Sequence, residues 1–418
     1  MNPFVRDNLK QALSGKNILL GISGSIAAFK TCDIVRYLRE CEANVRVVLT
    51  DSAQKFVTPL TLETLSEQPV LSSIFEDAHG THHIDAARWA DVALIAPATA
   101  NIIAKMAQGL ADDLLSTELL AFTGPVLVAP AMNPAMYAHP AVQANVRTLL
   151  SRDVRLLGPA HGETACGEEG PGRMLEPEQV VEGLARSFDA PQNSKRVLIT
   201  LGPTQSKLDP VRFISNRSSG LMGAALCWSA LRQGYQVTAI CGPTDAPLPS
   251  DIDVVRVTTA AEMAEATQRL WPSHDIFIGA AAVLDWDVKD PKTQKIKKAS
   301  GLPHVEFATN ADILANVSRA KRGGQFVLGF AAETENVVEH AREKLEAKKC
   351  DAVFANDVAA TDQGFESQMN AGWWITSSDA IEIGLAPKPN VATAIWQQIQ
   401  DAIAKRHSKQ EGKSVAFH

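Results

Sequence analysis

Six cysteines (Cys32, Cys41, Cys166, Cys227, Cys241 and Cys350) are scattered over 418 residues, with no CxxC pair and no metal-ligand spacing. This fits a reducing compartment better than a disulfide framework and gives no reason to expect a resident metal site. Positive charge is also in deficit. Lys and Arg number 40 against 47 Asp and Glu, a net charge of −7, so no nucleic-acid partner is expected. No run approaches the ~20 apolar residues of a membrane span, and the first fifteen residues lack the apolar core of a signal peptide. The expectation is a soluble cytoplasmic protein with no membrane partner. The GxGxxG fingerprint of dinucleotide binding is missing as well.

What is present divides in two. An apolar content of 45% over 418 residues suits two cores of ordinary size. Lys195 to Gly223 holds an apolar strand (Val197-Leu198-Ile199), a break at Gly202-Pro203, and Ser218-Ser219-Gly220 as the cap of a helix. The same device opens the chain between Lys16 and Lys30. There Ile18-Leu19-Leu20 reads as a strand, Gly21 to Ser25 as a turn, and Ile26 to Glu40 as a helix. That helix would set Ile26, Phe29, Ile34, Val35 and Leu38 on one side. A helix start behind small and hydroxyl residues is either a phosphate cradle or a tight turn. The polar, proline-containing Ser187 to Ser194 reads as the linker, giving domains at 1–190 and 191–418.

In each half, strands stop in short polar loops, the way a parallel sheet builds a pocket. In the first half these stops are Thr50, Thr99-Ala100-Asn101 and Asn133. His82-His83 precede a short helix, and a histidine there serves either as a general base or as a solvated turn residue. Gly162 to Arg173 is glycine-rich and reads as a mobile cover, its Cys166 either a reactive thiol or a bystander. In the second half, strands are expected at Gln236–Ile240, Val254–Val257, Asp275–Ala281, Phe326–Phe330 and Asp351–Ala355. Residues 294–298 are a basic cluster outside any element, Lys344 and Lys348 lie one turn apart on a solvated helix face, and the tail after Lys405 reads as loose.

Several segments together resemble one family. The first half matches through GSIAAFK (24–30), HIDAARWAD (83–91), APATAN (96–101), PAMN (130–133) and ACGEEGPGRM (165–174). The second matches through GPT (202–204), DPVRFISNRSSGLMG (209–223), AAVLDW (281–286), KIKK (295–298), GFAAET (329–334) and ANDV (355–358). They stand in the order of the bifunctional phosphopantothenoylcysteine decarboxylase and phosphopantothenate–cysteine ligase of coenzyme A biosynthesis. The resemblance implies two tandem three-layer α/β domains, a flavodoxin-like FMN-binding decarboxylase domain and a Rossmann-like CTP-binding ligase domain.

For the first domain the resemblance implies FMN, with its phosphate near Gly24, Ser25 and Ile26 and with Thr50, Thr99, Ala100 and Asn101 around the flavin. It makes His83 the base, Asn133 the holder of the substrate carboxylate and Cys166 the proton donor. For the second it implies ligation of 4′-phosphopantothenate with cysteine through an acyl-cytidylate, CTP bringing Mg2+. Lys295 and Asn216 are implied in catalysis. Gly279, Ala280, Ala281, Asp285, Lys295, Ala311, Asp312, Ile313, Leu314, Phe330, Lys344 and Lys348 are implied around the nucleotide. A homo-oligomer is implied, a dodecamer combining flavin-domain trimers with ligase-domain dimers. Two positions depart from the family pattern: Asp112 replaces an asparagine near the flavin pocket, and Ala311 replaces a proline. Other readings are a different flavin-dependent cysteine decarboxylation, as at a peptide C-terminus, and a non-catalytic regulatory relative. Retention of His83, Asn133 and Lys295 argues against the last.

Overall fold

The computed structural model describes residues 1–73, 82–163, 167–190, 192–297, 304–333, 335–357 and 367–415, without the side chains of 82–85, 357 and 407–415. The chain divides into two compact units, Met1–Asp189 and Ala190–His418.

The first unit begins with α1 (Pro3–Leu13), β1 (Asn17–Ile22), a 3-10 turn (Ile26–Lys30), α2 (Thr31–Glu40), β2 (Asn44–Leu49), α3 (Pro59–Ser66) and α4 (His82–Trp89). Then come β3 (Val92–Ala98), α5 (Ala100–Gln108), α6 (Leu114–Ala121), β4 (Val126–Pro130), α7 (Pro134–Ala138), α8 (Pro140–Leu150) and β5 (Arg155–Leu156). These five strands are all parallel, in the order β2-β1-β3-β4-β5. That is the 2-1-3-4-5 order of flavodoxin-type sheets, whose direction of winding switches between β1 and β3. The apolar runs of β1 and β3 are buried almost throughout because helices cover both sheet faces. Leu19, Val48, Ala93 and Ile95 pack against α4, α5, α6 and α8. Helices α1 and α2 contact one another and α9 (Pro177–Ala185) away from that cluster.

Three expectations change here. Ile34, Val35 and Leu38 are buried under α2, but Ile26 and Phe29 are 57% and 59% exposed, because a 3-10 turn precedes the α-helix and rotates them out. The glycine-rich segment, read as a mobile cover, is built as an antiparallel hairpin, β6 (Ala160–Glu163) with β7 (Glu169–Arg173). α1 was not foreseen; its Asn2 cap and Pro3 start signal a helix that carries Phe4, Leu9 and Leu13 into the core.

The second unit contains β8 (Arg196–Leu201), β9 (Gln205–Lys207), β10 (Phe213–Ser215), α10 (Leu221–Arg232), β11 (Gln236–Cys241), β12 (Asp253–Arg256), α11 (Ala260–Leu270) and β13 (Ile276–Gly279). It continues with β14 (Trp286–Val288), β15 (Phe307–Thr309), α12 (Ile313–Arg319), β16 (Phe326–Glu333), α13 (Val337–Lys348), β17 (Ala352–Asp357), β18 (Met369–Ile375), β19 (Ala380–Pro387) and α14 (Lys388–Val415). The main sheet runs β12-β11-β8-β13-β16-β17-β18-β19. Its first six strands are parallel and, counted along the chain, stand in the 3-2-1-4-5-6 order of a Rossmann sheet; β18 and β19 extend it antiparallel. Helices α10 and α14 cover one face, α11, α12 and α13 the other. The tail expected to be loose after Lys405 continues α14 to Val415.

Candidate active sites

In the first unit the ends of β1 and β3 are tied together by a serine that the sequence reading passed over. Ser23 Oγ donates to the Pro97 carbonyl (2.8 Å), accepts from the Thr99 amide (3.0 Å) and lies 3.2 Å from Thr99 Oγ1. Thr99 in turn caps α5, accepting from Ile102 N, while Ser25 caps the 3-10 turn through Ala27 N. Thr50 N donates to the Ile22 carbonyl (3.1 Å), closing the end of β2 onto β1. Gly24 is a place of close approach: a Cβ there would stand 2.4 Å from Ser52 Cβ. The expected phosphate and flavin residues thus gather at the carboxyl ends of β1, β2 and β3, around the switch point.

Beside them is a cavity of about 330 Å³, lined by Ser25, Ile26 and Phe29 on one side and by Asn133, Glu163 and Arg173 on the other. Gly24, Thr50, Thr99, Ala100 and Asn101 lie outside this lining. Asn133 caps α7 with its Oδ1 on Ala135 N (2.8 Å), which leaves Nδ2 as the group it can offer a substrate. The hairpin is clamped to the same loop, for Met132 N donates to the Gly172 carbonyl (2.9 Å) and a Cβ on Gly172 would meet Met132 O at 2.3 Å. Glu163 ends β6, and Cys166 lies outside the described residues. His83 is in the first turn of α4, within the helix and not ahead of it, and its side chain is not described.

Lys30 donates to Glu176 (3.0 Å), and Arg173 reaches the same carboxylate at 2.6 Å. These bonds, Lys30 first, hold Glu176 below the usual carboxylate range. Asp112, the departure from asparagine near the flavin pocket, pairs with Lys105 at 2.6 Å. Its neighbour Asp113 shares that lysine and forms the capping box of α6.

The second unit holds a cavity of about 450 Å³ at its own switch point, between β8 and β13. Asn216, Ala280, Ala281, Asp285, Phe330 and Lys344 line it, as do residues 217–223 leading into α10. Asn216 Nδ2 donates to the Val283 carbonyl (3.1 Å), fixing the amide against the loop after β13. Within the expected cap Ser218-Ser219-Gly220, Gly220 is the N-cap of α10 and has no side chain to offer, while Ser219 Oγ accepts from Leu221 N at 3.5 Å. Lys344 donates to the Phe330 carbonyl (2.8 Å), and burial pulls its ammonium below the usual lysine range.

The remaining expected nucleotide residues stand outside the lining. Asp312 caps α12 through Ala315 N and is ion-paired with Lys348; burial pushes its carboxyl up, but the bond from Lys348 prevails and holds it low. Ile313 is buried, and Leu314 packs where a Cβ on Gly329 would be. Gly279 ends β13, and Ala311 is exposed beside Asn310. Asn310 keeps the turn without a proline by bonding Leu284 and Asp285 carbonyls at 2.9 Å each. Lys295 is exposed on a loop pinned through Ile296 N to Asp209 (3.1 Å). Asn356, Asn370 and Lys388 line the cavity and were not foreseen as site residues. Among the described residues no cluster of His, Cys, Asp and Glu could hold a metal ion, and no helix is long and apolar enough to cross a membrane.

Residues 6–189 match the family described as flavoprotein, and residues 192–403 match the DNA/pantothenate metabolism flavoprotein C-terminal domain. The coenzyme A biosynthesis bifunctional protein CoaBC of Vibrio vulnificus (strain CMCP6) is 45% identical over 395 residues, covering 93% of this chain and 98% of the relative. The protein of that name from Escherichia coli (strain K12) is 44% identical over 367 residues, 86% of this chain and 90% of the relative. That from Bacillus subtilis (strain 168) is 41% identical over 395 residues, 93% and 97%. Among solved structures, a C-terminal domain of coenzyme A biosynthesis bifunctional protein CoaBC superposes with a TM-score of 0.44 at 34% identity, covering 51% of this chain and 98% of that domain.

Proposed function

The chain belongs to the family of coenzyme A biosynthesis bifunctional proteins, enzymes that join a flavoprotein decarboxylase to a ligase, and on that premise we propose that residues 1–190 decarboxylate what residues 191–418 ligate. The ligase unit activates 4′-phosphopantothenate with CTP as an acyl-cytidylate, releasing pyrophosphate. The amine of cysteine then displaces CMP, giving 4′-phosphopantothenoylcysteine. The flavin unit converts this to 4′-phosphopantetheine and CO2. The observation that carries the reading is a cavity at or beside the switch point of each sheet, where α/β ligands bind, lined in the first unit by Ser25, Ile26 and Asn133 and in the second by Asn216, Ala280, Ala281, Asp285, Phe330 and Lys344.

In the ligase cavity the first turn of α10, whose N-cap Gly220 has no side chain, suits the phosphates of the nucleotide. Mg2+ enters as the nucleotide's companion and part of the substrate. Asn216, immobilised on the Val283 carbonyl, turns the remaining side of its amide to the acyl group. Lys344 adds a desolvated positive charge, which acts more strongly than one in water on the charge of the transition state. Lys295 supplies a second charge from the exposed loop after β14.

The first unit's residues fit FMN: hydroxyls and backbone amides of residues 23–26 and 99–101 converge with no carboxylate among them, and the close packing of Gly24 on Ser52 fixes that cradle. When bound, FMN supplies a two-electron acceptor for the cysteinyl side chain. Asn133 Nδ2 donates to the substrate carboxylate and aligns the bond that breaks. His83 removes a proton at the start, and Cys166 returns one at the end. Exposed Ile26 and Phe29 in the first unit, and Val211, Phe213, Trp286 and Phe307 in the second, support burial against further copies, in line with flavin-unit trimers and ligase-unit dimers building a dodecamer.

The test is pyrophosphate release from 4′-phosphopantothenate, cysteine and Mg2+, with CTP and ATP in parallel. CTP is expected to support turnover; release with ATP alone would discard the nucleotide assignment.

A further inference from the structure

Three side chains on one short segment hold the stretch of chain that leads to Lys295. Thr204 Oγ1 accepts from Leu284 N (2.9 Å), Ser206 Oγ from Val288 N (2.8 Å) and Asp209 Oδ2 from Ile296 N (3.1 Å). Between the last two, Lys292 N donates to the Leu208 carbonyl (2.9 Å). The partners advance in step along both segments, so residues 204–209 act as a template for residues 284–296. The same template carries Asn216 at its other end. β10 pairs Phe213 with Lys207 and Ser215 with Gln205, and Ser215 Oγ donates to the Thr204 carbonyl (2.9 Å), immediately before Asn216.

Asp209 differs from Thr204 and Ser206 in carrying charge and in reaching the loop of Lys295. It is 3% exposed, in a turn whose next three residues, Pro210, Val211 and Arg212, are all exposed. Its Oδ1 accepts from Val211 N and Arg212 N at 2.8 Å each, and Arg212 Nη1 stands 3.6 Å from Oδ2. Burial would raise its carboxyl, but the bonds from the Val211, Ile296 and Arg212 N–H groups prevail and hold it below the usual carboxylate range. The bond to Ile296 is also, among the described residues, the only hydrogen bond made by residues 293–297. A single buried carboxylate thus joins the turn into β10 to the loop of Lys295. Fixing that loop in advance removes its ordering entropy from the chemical step.

Resting on the ligase reading above, we propose that Asp209 is the positioning residue for Lys295. It acts through the loop and not on substrate: by clamping the backbone of the residue next to Lys295, it fixes where the ammonium group is presented. It therefore serves the rate of the chemical step and not the affinity for the nucleotide.

The experiment measures pyrophosphate release by the full-length enzyme with 4′-phosphopantothenate, cysteine and Mg2+ as CTP is varied. Asp209→Asn keeps one acceptor oxygen, enough for Val211 N and Arg212 N, and turns an N–H group toward Ile296 N. It should lower kcat by about tenfold or more while KM for CTP stays within about twofold of wild type. Ile296→Pro deletes the donor and leaves Asp209 its own turn; it should give the same split, and it decides the matter if Asp209→Asn does not fold. A cycle with Lys295→Met supplies the second readout: once the lysine is gone, Asp209→Asn should lower kcat no further. Losses that multiply in the double variant, a KM for CTP that rises as kcat falls, or an unchanged kcat in folded Ile296→Pro or Lys295→Met overturn the assignment while the wild-type enzyme still releases pyrophosphate. Wild-type enzyme that releases none overturns the ligase reading, and the assignment with it.

Discussion

Glu118 sits on α6 at 0% exposure, and neither of its carboxylate oxygens has a hydrogen-bond partner among the described residues. Burial lifts its pKa from the ordinary 4.5 to about 8; the one charge that pulls the other way is Arg46 on β2, which itself stacks over Trp89 of α4. Since the folded-state value lies above the unfolded one, the neutral acid is favoured in the fold. Stability is therefore greatest below the unfolded value near 4.5 and falls as pH rises toward 8, beyond which the loss is complete. At 1.36 kcal/mol per unit, the penalty grows by about 3 kcal/mol between pH 5 and pH 8. Glu118→Met keeps the length of the side chain and removes the ionisation. Urea unfolding of the first unit, followed through the bound flavin so that only that unit reports, should give a variant more stable than wild type at pH 8. The difference should shrink by about 3 kcal/mol on going to pH 5. Parallel stability profiles, offset by a constant across that range, would refute the argument that a desolvated carboxyl is the cause.

Three further outcomes follow from the sites. Gly172→Ala should push the β6–β7 hairpin off the Met132 carbonyl, abolishing 4′-phosphopantetheine formation while 4′-phosphopantothenoylcysteine accumulates, as mass spectrometry of the reaction would read. Ser23→Ala removes the hydroxyl shared by the ends of β1 and β3 and should cost the first unit about 1–3 kcal/mol, together with weaker flavin retention on dialysis. Lys344→Met should lower kcat/KM for CTP by about tenfold or more and leave the visible spectrum of the flavin unit unchanged.

The strand–loop–helix openings at Lys16 and Lys195 were legible because apolar strands broken by glycine and hydroxyl residues have few other uses. The strand orders 2-1-3-4-5 and 3-2-1-4-5-6 were not, since parallel crossovers leave no trace of which neighbour a strand pairs with. Ser23 looked like one more turn residue; its role depends on Pro97 and Thr99, about 75 positions away. Ile26 and Phe29 kept helical spacing with Ile34 and Leu38, and only the intervening 3-10 turn separates the exposed pair from the core. Lys388 stands between Pro387 and Pro389 at the start of α14, where proline suits the first turn of a helix. The far end of α14 carries little apolar periodicity, so nothing in its sequence announced a helix after Lys405. Lys348 pairs with Asp312, and both are expected at the nucleotide; spacing along α13 could not reveal that pairing.

The most direct measurement incubates the purified full-length protein with 4′-phosphopantothenate, cysteine, CTP and Mg2+, and follows the products by mass spectrometry alongside the visible spectrum. A yellow protein that yields 4′-phosphopantetheine, CO2, CMP and pyrophosphate is the predicted result. A colourless protein that leaves CTP and 4′-phosphopantothenate unchanged would contradict the account.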